Sequence, residues 1–121
     1  MNWNLDDARP IWLQLNEKLT WSIVSGAYPP GGRLPSVRDL AAEAGVNPNT
    51  MQRALAQLET DGLAESNRTA GRTVTENSDR IEAVRRRLAD SKMAEFLQAM
   101  SRLGFSREEA AAMLQEEEPH E

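Results

Sequence analysis

Asn49, Gln52 and Arg53 fall on one side of a helix predicted after Asn47, with Ala56 completing that side and Thr50 and Gln57 at its edge. Amides, a hydroxyl and a guanidinium in this arrangement suit hydrogen bonding to base edges. Asn and Gln pair bidentately with adenine, Arg with guanine, and Thr meets bases or phosphate. The start of such a helix adds free N–H groups and a positive dipole end for a phosphate. Any exposed helix face is polar, but this one carries no Glu or Lys before Glu59. An ordinary solvated face mixes signs from its start. Catalytic chemistry lacks its residues: there is no cysteine, and the only histidine, His120, lies in an acidic tail. With no Ser–His, Cys–His or metal-ligand spacing, neither an enzyme, a cofactor nor a metal is expected.

The elements that would position these groups are marked by local signals. Met51, Ala54, Leu55 and Leu58 occupy the opposite side of the same helix and predict its core edge. Asn47 caps it, and Pro48 sits at the first position, where a missing N–H costs nothing. A shorter helix precedes it, opened by Ser36 with Asp39 three residues on and closed by Gly45. Two helices joined by a glycine-containing turn are the elements of a helix-turn-helix. After Gly62, residues 63–66 and 73–75 predict two short strands around 67–72. A hairpin with arginines at its tip, placed there, is a wing, and such a tip touches phosphates or enters the minor groove.

Upstream, residues 1–9 show no helical period and predict an edge strand or a tethered arm through Trp3 and Leu5. Pro10 opens a helix in which Ile11, Leu15, Leu19 and Ile23 form an apolar stripe with Trp12 beside it, closed by Gly26. That stripe predicts core, with a ligand-binding aromatic role for Trp12 or Trp21 as the alternative. The run Tyr28-Pro29-Pro30-Gly31-Gly32 predicts a rigid corner. Downstream, Asn77 or Ser78 caps a long helix reaching Leu103, stopped by Gly104. Ile81, Val84 and Leu88 share one face of it; Ala89, Met93, Phe96, Met100 and Leu103 follow a 4-3 spacing on another. Either the halves meet different neighbours or the helix bends near Asp90. Arg85, Arg86 and Arg87 lie between them and read as a solvated face, with a DNA-backbone contact as the alternative. Ser106 and Glu109 open a last helix with Ala110, Met113 and Leu114 on its apolar edge. Two such helices cannot enclose a core alone, and a second copy is the simplest partner.

Composition bounds these readings. At 121 residues with 40% hydrophobic content, the chain holds one domain with an appendage. No stretch approaches the roughly 20 apolar residues of a membrane span, and the N-terminus lacks a secretion signal. No membrane association is expected, and cytoplasmic residence is. The net charge of −5 argues against nucleic acid at first sight, but the tail concentrates acids while five of the first seven basic residues fall between Arg33 and Arg72.

Pro10-Ile11 with Leu13-Gln14, Arg33-Leu34-Pro35-Ser36 with Arg38, Gly45-Val46-Asn47-Pro48-Asn49-Thr50, Arg53-Ala54-Leu55, Leu58-Glu59, Gly62-Leu63, and Arg68 with Gly71 together resemble the head of GntR-type bacterial transcription regulators. The remainder is too short for a large effector domain and is similar to the YtrA subfamily. The resemblance implies a mainly α fold with a small β-hairpin: a winged helix-turn-helix head over 1–76, then two C-terminal helices over 77–121 for dimerisation. It implies a homodimeric repressor on a palindromic operator in double-stranded DNA. Arg38, Asn47, Asn49, Thr50 and Gln52 would then sit at DNA, Arg33 and Ser36 would reach nearby backbone, and the wing would add Arg68, Thr69 and Gly71. Pro48 stands where other subfamilies have Arg, so no base contact carries over there. Arg53 and Arg72 join the interface on the residue reading, and Val84, Leu88, Met93, Phe96, Leu97, Met100, Leu103, Met113 and Leu114 join the dimer seam. Two alternatives stand beside this: a winged helix serving protein–protein assembly, or a sensor of an unidentified small-molecule effector with Met93, Phe96, Met100 and Met113 lining its pocket. On the residue reading, Arg38→Ala reduces discrimination between sequences and Arg72→Ala weakens all sequences comparably, as measured by binding to operator and unrelated duplexes.

Overall fold

The computed structural model describes residues 1–116, so the acidic tail beyond Glu116, with His120, lies outside the described residues. In chain order it contains α1 (Ile11–Val24), α2 (Val37–Ala44), α3 (Pro48–Thr60), β1 (Ala64–Asn67), β2 (Gly71–Val74), α4 (Ser78–Arg102) and α5 (Arg107–Glu116). The fold is mainly helical with one antiparallel hairpin, as expected. The chain divides into two compact units, Met1–Arg85 and Arg86–Glu121. The first turns of α4 therefore belong to the head unit, beyond the boundary after residue 76 that the sequence suggested.

In the head, α3 packs against α1, α2 and β1. Its inner edge is Met51, Ala54, Leu55 and Leu58, all fully buried, and they meet a core that includes Leu15, Leu19, Ile23, Leu34, Leu40 and Val74. The α1 stripe is core, with Trp12 half-buried at its start. Three buried polar side chains accompany it, Gln14, Asn16 and Thr20. Asn16 Nδ2 donates to the Ala54 carbonyl of α3 at 3.1 Å. Gln14 takes up the N-terminal segment: its Nε2 donates to the Asp6 and Arg9 carbonyls at 2.9 and 2.7 Å, and its Oε1 accepts from Asp6 N. With Trp3 buried, residues 1–9 form a tethered arm and not a strand.

Capping follows the sequence closely. Ser36 Oγ accepts from Asp39 N at 3.1 Å, and Asn47 Oδ1 accepts from Asn49 N at 2.8 Å. Asn77, not Ser78, caps α4 by accepting from Arg80 N. Ser106 and Glu109 exchange two hydrogen bonds in a complete capping box. That contact, led by the Ser106 backbone N–H, holds the Glu109 carboxyl below its ordinary value.

The hairpin pairs Ala64 with Val74 and Asn67 with Gly71. It is displaced by one residue from the predicted β1 and by two at the start of β2. The cause is Asn67, whose Oδ1 accepts from Thr69 N, Thr69 Oγ1 and Ala70 N and closes the turn early. Arg72 therefore belongs to a strand and not to the tip. The corner at 28–32 leads the chain alongside β2: Gly31 N donates to Val74 O, Val74 N to Gly32 O, and Leu34 N to Arg72 O. Arg33 and Thr73 form an antiparallel bridge there. This third edge of the wing carries no strand pattern in the sequence.

In the second unit, α5 lies against α4, where Ala89, Lys92, Met93 and Phe96 line a cleft with Leu114. Of the expected seam residues, Met93, Phe96, Leu103, Met113 and Leu114 are exposed, and Leu88, Leu97 and Met100 are half-buried. Val84 differs: it is 7% exposed and belongs to the head unit, so it is already covered within the chain. Among the described residues, no helix is long and apolar enough to cross a membrane.

Gly45 closes α2 at φ 70° with nothing within 4 Å of a Cβ placed there. Its replacement by Ala meets only the backbone penalty of the left-handed region, about 1–2 kcal/mol. Leu55→Ala, emptying a fully buried site, costs about 2–5 kcal/mol. Urea unfolding checks both, with the midpoint falling and the m-value unchanged for Gly45→Ala.

Candidate nucleic-acid interface

The inner edge of α3 determines what its outer edge offers. With Met51, Ala54, Leu55 and Leu58 buried, Asn49, Gln52, Arg53 and Ala56 are exposed, and Thr50 and Gln57 are partly so. Thr50 and Gln52 make no internal side-chain hydrogen bond among the described residues, and Asn49 likewise keeps its amide free. Arg38 stands exposed on α2. Ser36 and Asn47 act first as caps, and each keeps a donor with no internal acceptor among the described residues: the Ser36 hydroxyl proton and the Asn47 amide N–H groups.

The wing completes the surface. Arg68 and Thr69 lie exposed at its tip, although the Thr69 hydroxyl is committed to Asn67. Gly71, at φ 76°, permits the strand to leave the turn. A side chain there would begin 3.7 Å from Arg33 Nε. Arg33 thus belongs to the wing itself, brought beside Gly71 by the bridge to Thr73.

The candidate arginines occupy different electrostatic situations. Among the described residues Arg33, Arg38 and Arg68 form no internal ion pair. Arg72 does: its Nη2 lies 3.2 Å from Glu59 Oε2, and its side chain is only 14% exposed. Arg72 Nε is buried without a partner. Glu59 Oε1 also accepts from Ser66 Oγ at 2.6 Å. One carboxylate at the end of α3 thus holds both strands of the wing. The Ser66 hydrogen bond depresses the Glu59 carboxyl below its ordinary 4.5; burial opposes it, and the hydrogen bond and charge of Arg72 add to the lowering. Arg53 is held differently, with Cζ 4.2 Å from the centroid of the Trp12 ring. Sequence reasoning missed Trp12 and Glu59 as parts of this surface. Trp12 read as core, and Glu59 read as the end of the polar face; their contacts run between elements far apart in sequence.

Arg85 and Arg86, on α4, pair with Glu82 and Asp90 respectively. Among the described residues, no group of three or more His, Cys, Asp or Glu is placed to hold a metal ion.

The Glu59 latch predicts an acid-sensitive wing. A carboxyl whose value is lowered by folding stabilises the head fully above its unfolded value. That contribution is lost as pH falls through the lowered value, so it is intact at neutral pH and fades only below about 4.5. Glu59→Gln should lower stability by about 1–2 kcal/mol at pH 7, since it strips the counter-ion from a mostly buried arginine, and by less at pH 3. Arg72→Ala should act on stability as well as on DNA affinity. Thermal melts at the two pH values check both.

Known proteins place this architecture. Residues 12–74 match the family described as bacterial regulatory proteins, gntR family. The chain is 31% identical over 109 residues to the helix-turn-helix transcriptional regulator YhcF of Bacillus subtilis, covering 90% of each chain. It is 38% identical over 69 residues to the transcriptional repressor YtrA of the same organism, covering 57% of this chain and 53% of that one. A solved GntR family transcriptional regulator from Listeria monocytogenes superposes with a TM-score of 0.85 at 37% identity, covering 94% of this chain and all of that one. The chain therefore belongs to the GntR family and is a DNA-binding transcriptional regulator built on a winged helix-turn-helix.

Proposed function

We propose that this regulator binds a palindromic operator as a homodimer and represses transcription by occluding a promoter in the cytoplasm. The observation that carries this reading is α3, whose buried inner edge leaves Asn49 and Gln52 exposed beside a wing tipped by Arg68. In it, Arg38, Asn49, Thr50 and Gln52 meet bases, with Asn47 at the helix start. Arg33, Ser36, Arg68, Thr69 and Gly71 grip the sugar–phosphate chain or the minor groove. Repression is supported by the similarity to YtrA, named a repressor.

Support for the homodimer comes from the second unit. Met93 and Leu103 are 56% and 72% exposed, and with Phe96, Met113 and Leu114 they leave a largely apolar surface along α4, α5 and the turn between them. Covering it with a second copy removes that surface from water and gives each dimer two recognition helices. Half-sites would then be centred about 10 base pairs, or a multiple, apart. A second reading rests on the cleft of about 410 Å³ lined by Ala89, Lys92, Met93, Phe96 and Leu114, which would take a mainly apolar small-molecule effector. The dimer reading is preferred because it also covers Leu103 and Met113.

Binding of the full chain to the DNA upstream of its gene, across a salt series, tests the proposal. If each subunit neutralises about four phosphates, the log–log slope for the dimer is about −7. A folded dimer that binds no DNA, or binds it without salt dependence, would refute the operator reading. A folded monomer at micromolar concentration would refute the dimer.

A further inference from the structure

Arg53 is exposed on the recognition helix, yet its guanidinium has a partner within the fold. It lies over Trp12, a half-buried residue in the first turn of α1, with Cζ 4.2 Å from the ring centroid. We propose that Trp12 is a positioning residue for DNA recognition, holding Arg53 as a ready-made contact to the sugar–phosphate backbone beside the recognition helix. This rests on the reading of the chain as an operator-binding protein.

Three physical points support the assignment. The first is charge. Arg72 lies against a carboxylate and is neutralised inside the fold, whereas Arg53 lies against a neutral ring. A cation–π contact restrains the guanidinium and leaves its full positive charge for a phosphate. The second is geometry of donors. Stacking occupies the flat face of the guanidinium and leaves its in-plane N–H groups free, the same groups that fork onto phosphate oxygens. The third is placement. By helical angle Arg53 lies between Asn49 and Gln57, but the ring draws its tip sideways toward α1. A helix seated in a major groove about 12 Å wide has base edges ahead of it and phosphates at its flanks. The stacked guanidinium therefore belongs with the flank.

The stack also bears on the cost of binding. A free arginine on a helix surface loses rotamer freedom when it contacts DNA, which opposes association. Held against Trp12, part of that freedom is already gone before DNA arrives. Trp12 itself touches no nucleic acid in this scheme.

A double-mutant cycle in the full chain tests the proposal, using Trp12→Leu, Trp12→Phe, Arg53→Ala and the Trp12→Leu/Arg53→Ala double variant. Binding is measured to the upstream duplex and to an unrelated duplex across a salt series, with circular dichroism to confirm folding. Trp12→Leu should weaken both duplexes by the same factor, about 2–5 per subunit, the worth of an exposed cation–π contact, and so about 5–25 for the dimer. Trp12→Phe should recover most of that loss and is the variant that keeps the packing if Leu disturbs it. Arg53→Ala should make the dimer's salt slope shallower by about 2, one phosphate per subunit. The double variant should bind as Arg53→Ala does, because the ring has nothing left to position. If instead the two losses multiply, Trp12 acts only through the stability of the head and the proposal falls. If Trp12→Leu changes the ratio between the two duplexes, Arg53 reads bases and the backbone assignment falls. Failure of the unmodified protein to bind either duplex would overturn the operator reading itself, an outcome distinct from both.

Discussion

The burial of Met51, Ala54, Leu55 and Leu58 along one edge of α3 is the constraint from which the interface follows. A helix turns 100° per residue, so a rotation of α3 by one position would push amides into the core and leucines into water. The rotational setting of Asn49 and Gln52 is therefore imposed from inside, by side chains that face away from DNA. Apolar burial is non-directional and leaves sliding along the axis poorly defined. The Asn16 hydrogen bond to the Ala54 carbonyl supplies direction there, tying α1 to α3 at one register. Precision at the surface is thus inherited from the core.

Around that helix, one residue type serves three ends through its surroundings. Arg72 is turned inward to Glu59 and braces the wing, Arg53 rests on an aromatic face, and Arg68 stands exposed at the hairpin tip. A net charge of −5 does not conflict with binding a polyanion in such a chain. The relevant quantity is which cations remain unneutralised on the surface that faces the ligand, and bulk charge is nearly silent on that.

Much of the head was legible because its signals are local. Ser36, Gly45, Asn47 and Pro48 act within a few residues of themselves, and helical angle alone separated the buried edge of α3 from the exposed one. The family resemblance, carried by motifs between Pro10 and Gly71, pointed to the fold that the structure shows. What escaped depends on pairing between distant segments. The hairpin register shifted because one side chain, Asn67, closes the turn early. That shift moved Arg72 from the tip into a strand. Arg33 gave no sign of joining a sheet, since a single bridge needs no alternating pattern. Val84 shared a face with Leu88 in the sequence, yet periodicity cannot say which neighbour covers which part of a long helix.

The bridge between Arg33 and Thr73 has a consequence for how the head assembles. It joins the chain just before α2 to the strand that follows the hairpin turn, so it can close only after the helix pair between them has folded back. Two short strands alone make a marginal hairpin in water. The wing consequently has little existence apart from the helices. A contact that spans the helix pair couples it to the wing, so unfolding of the head is expected to be concerted, the wing and the recognition helix melting together.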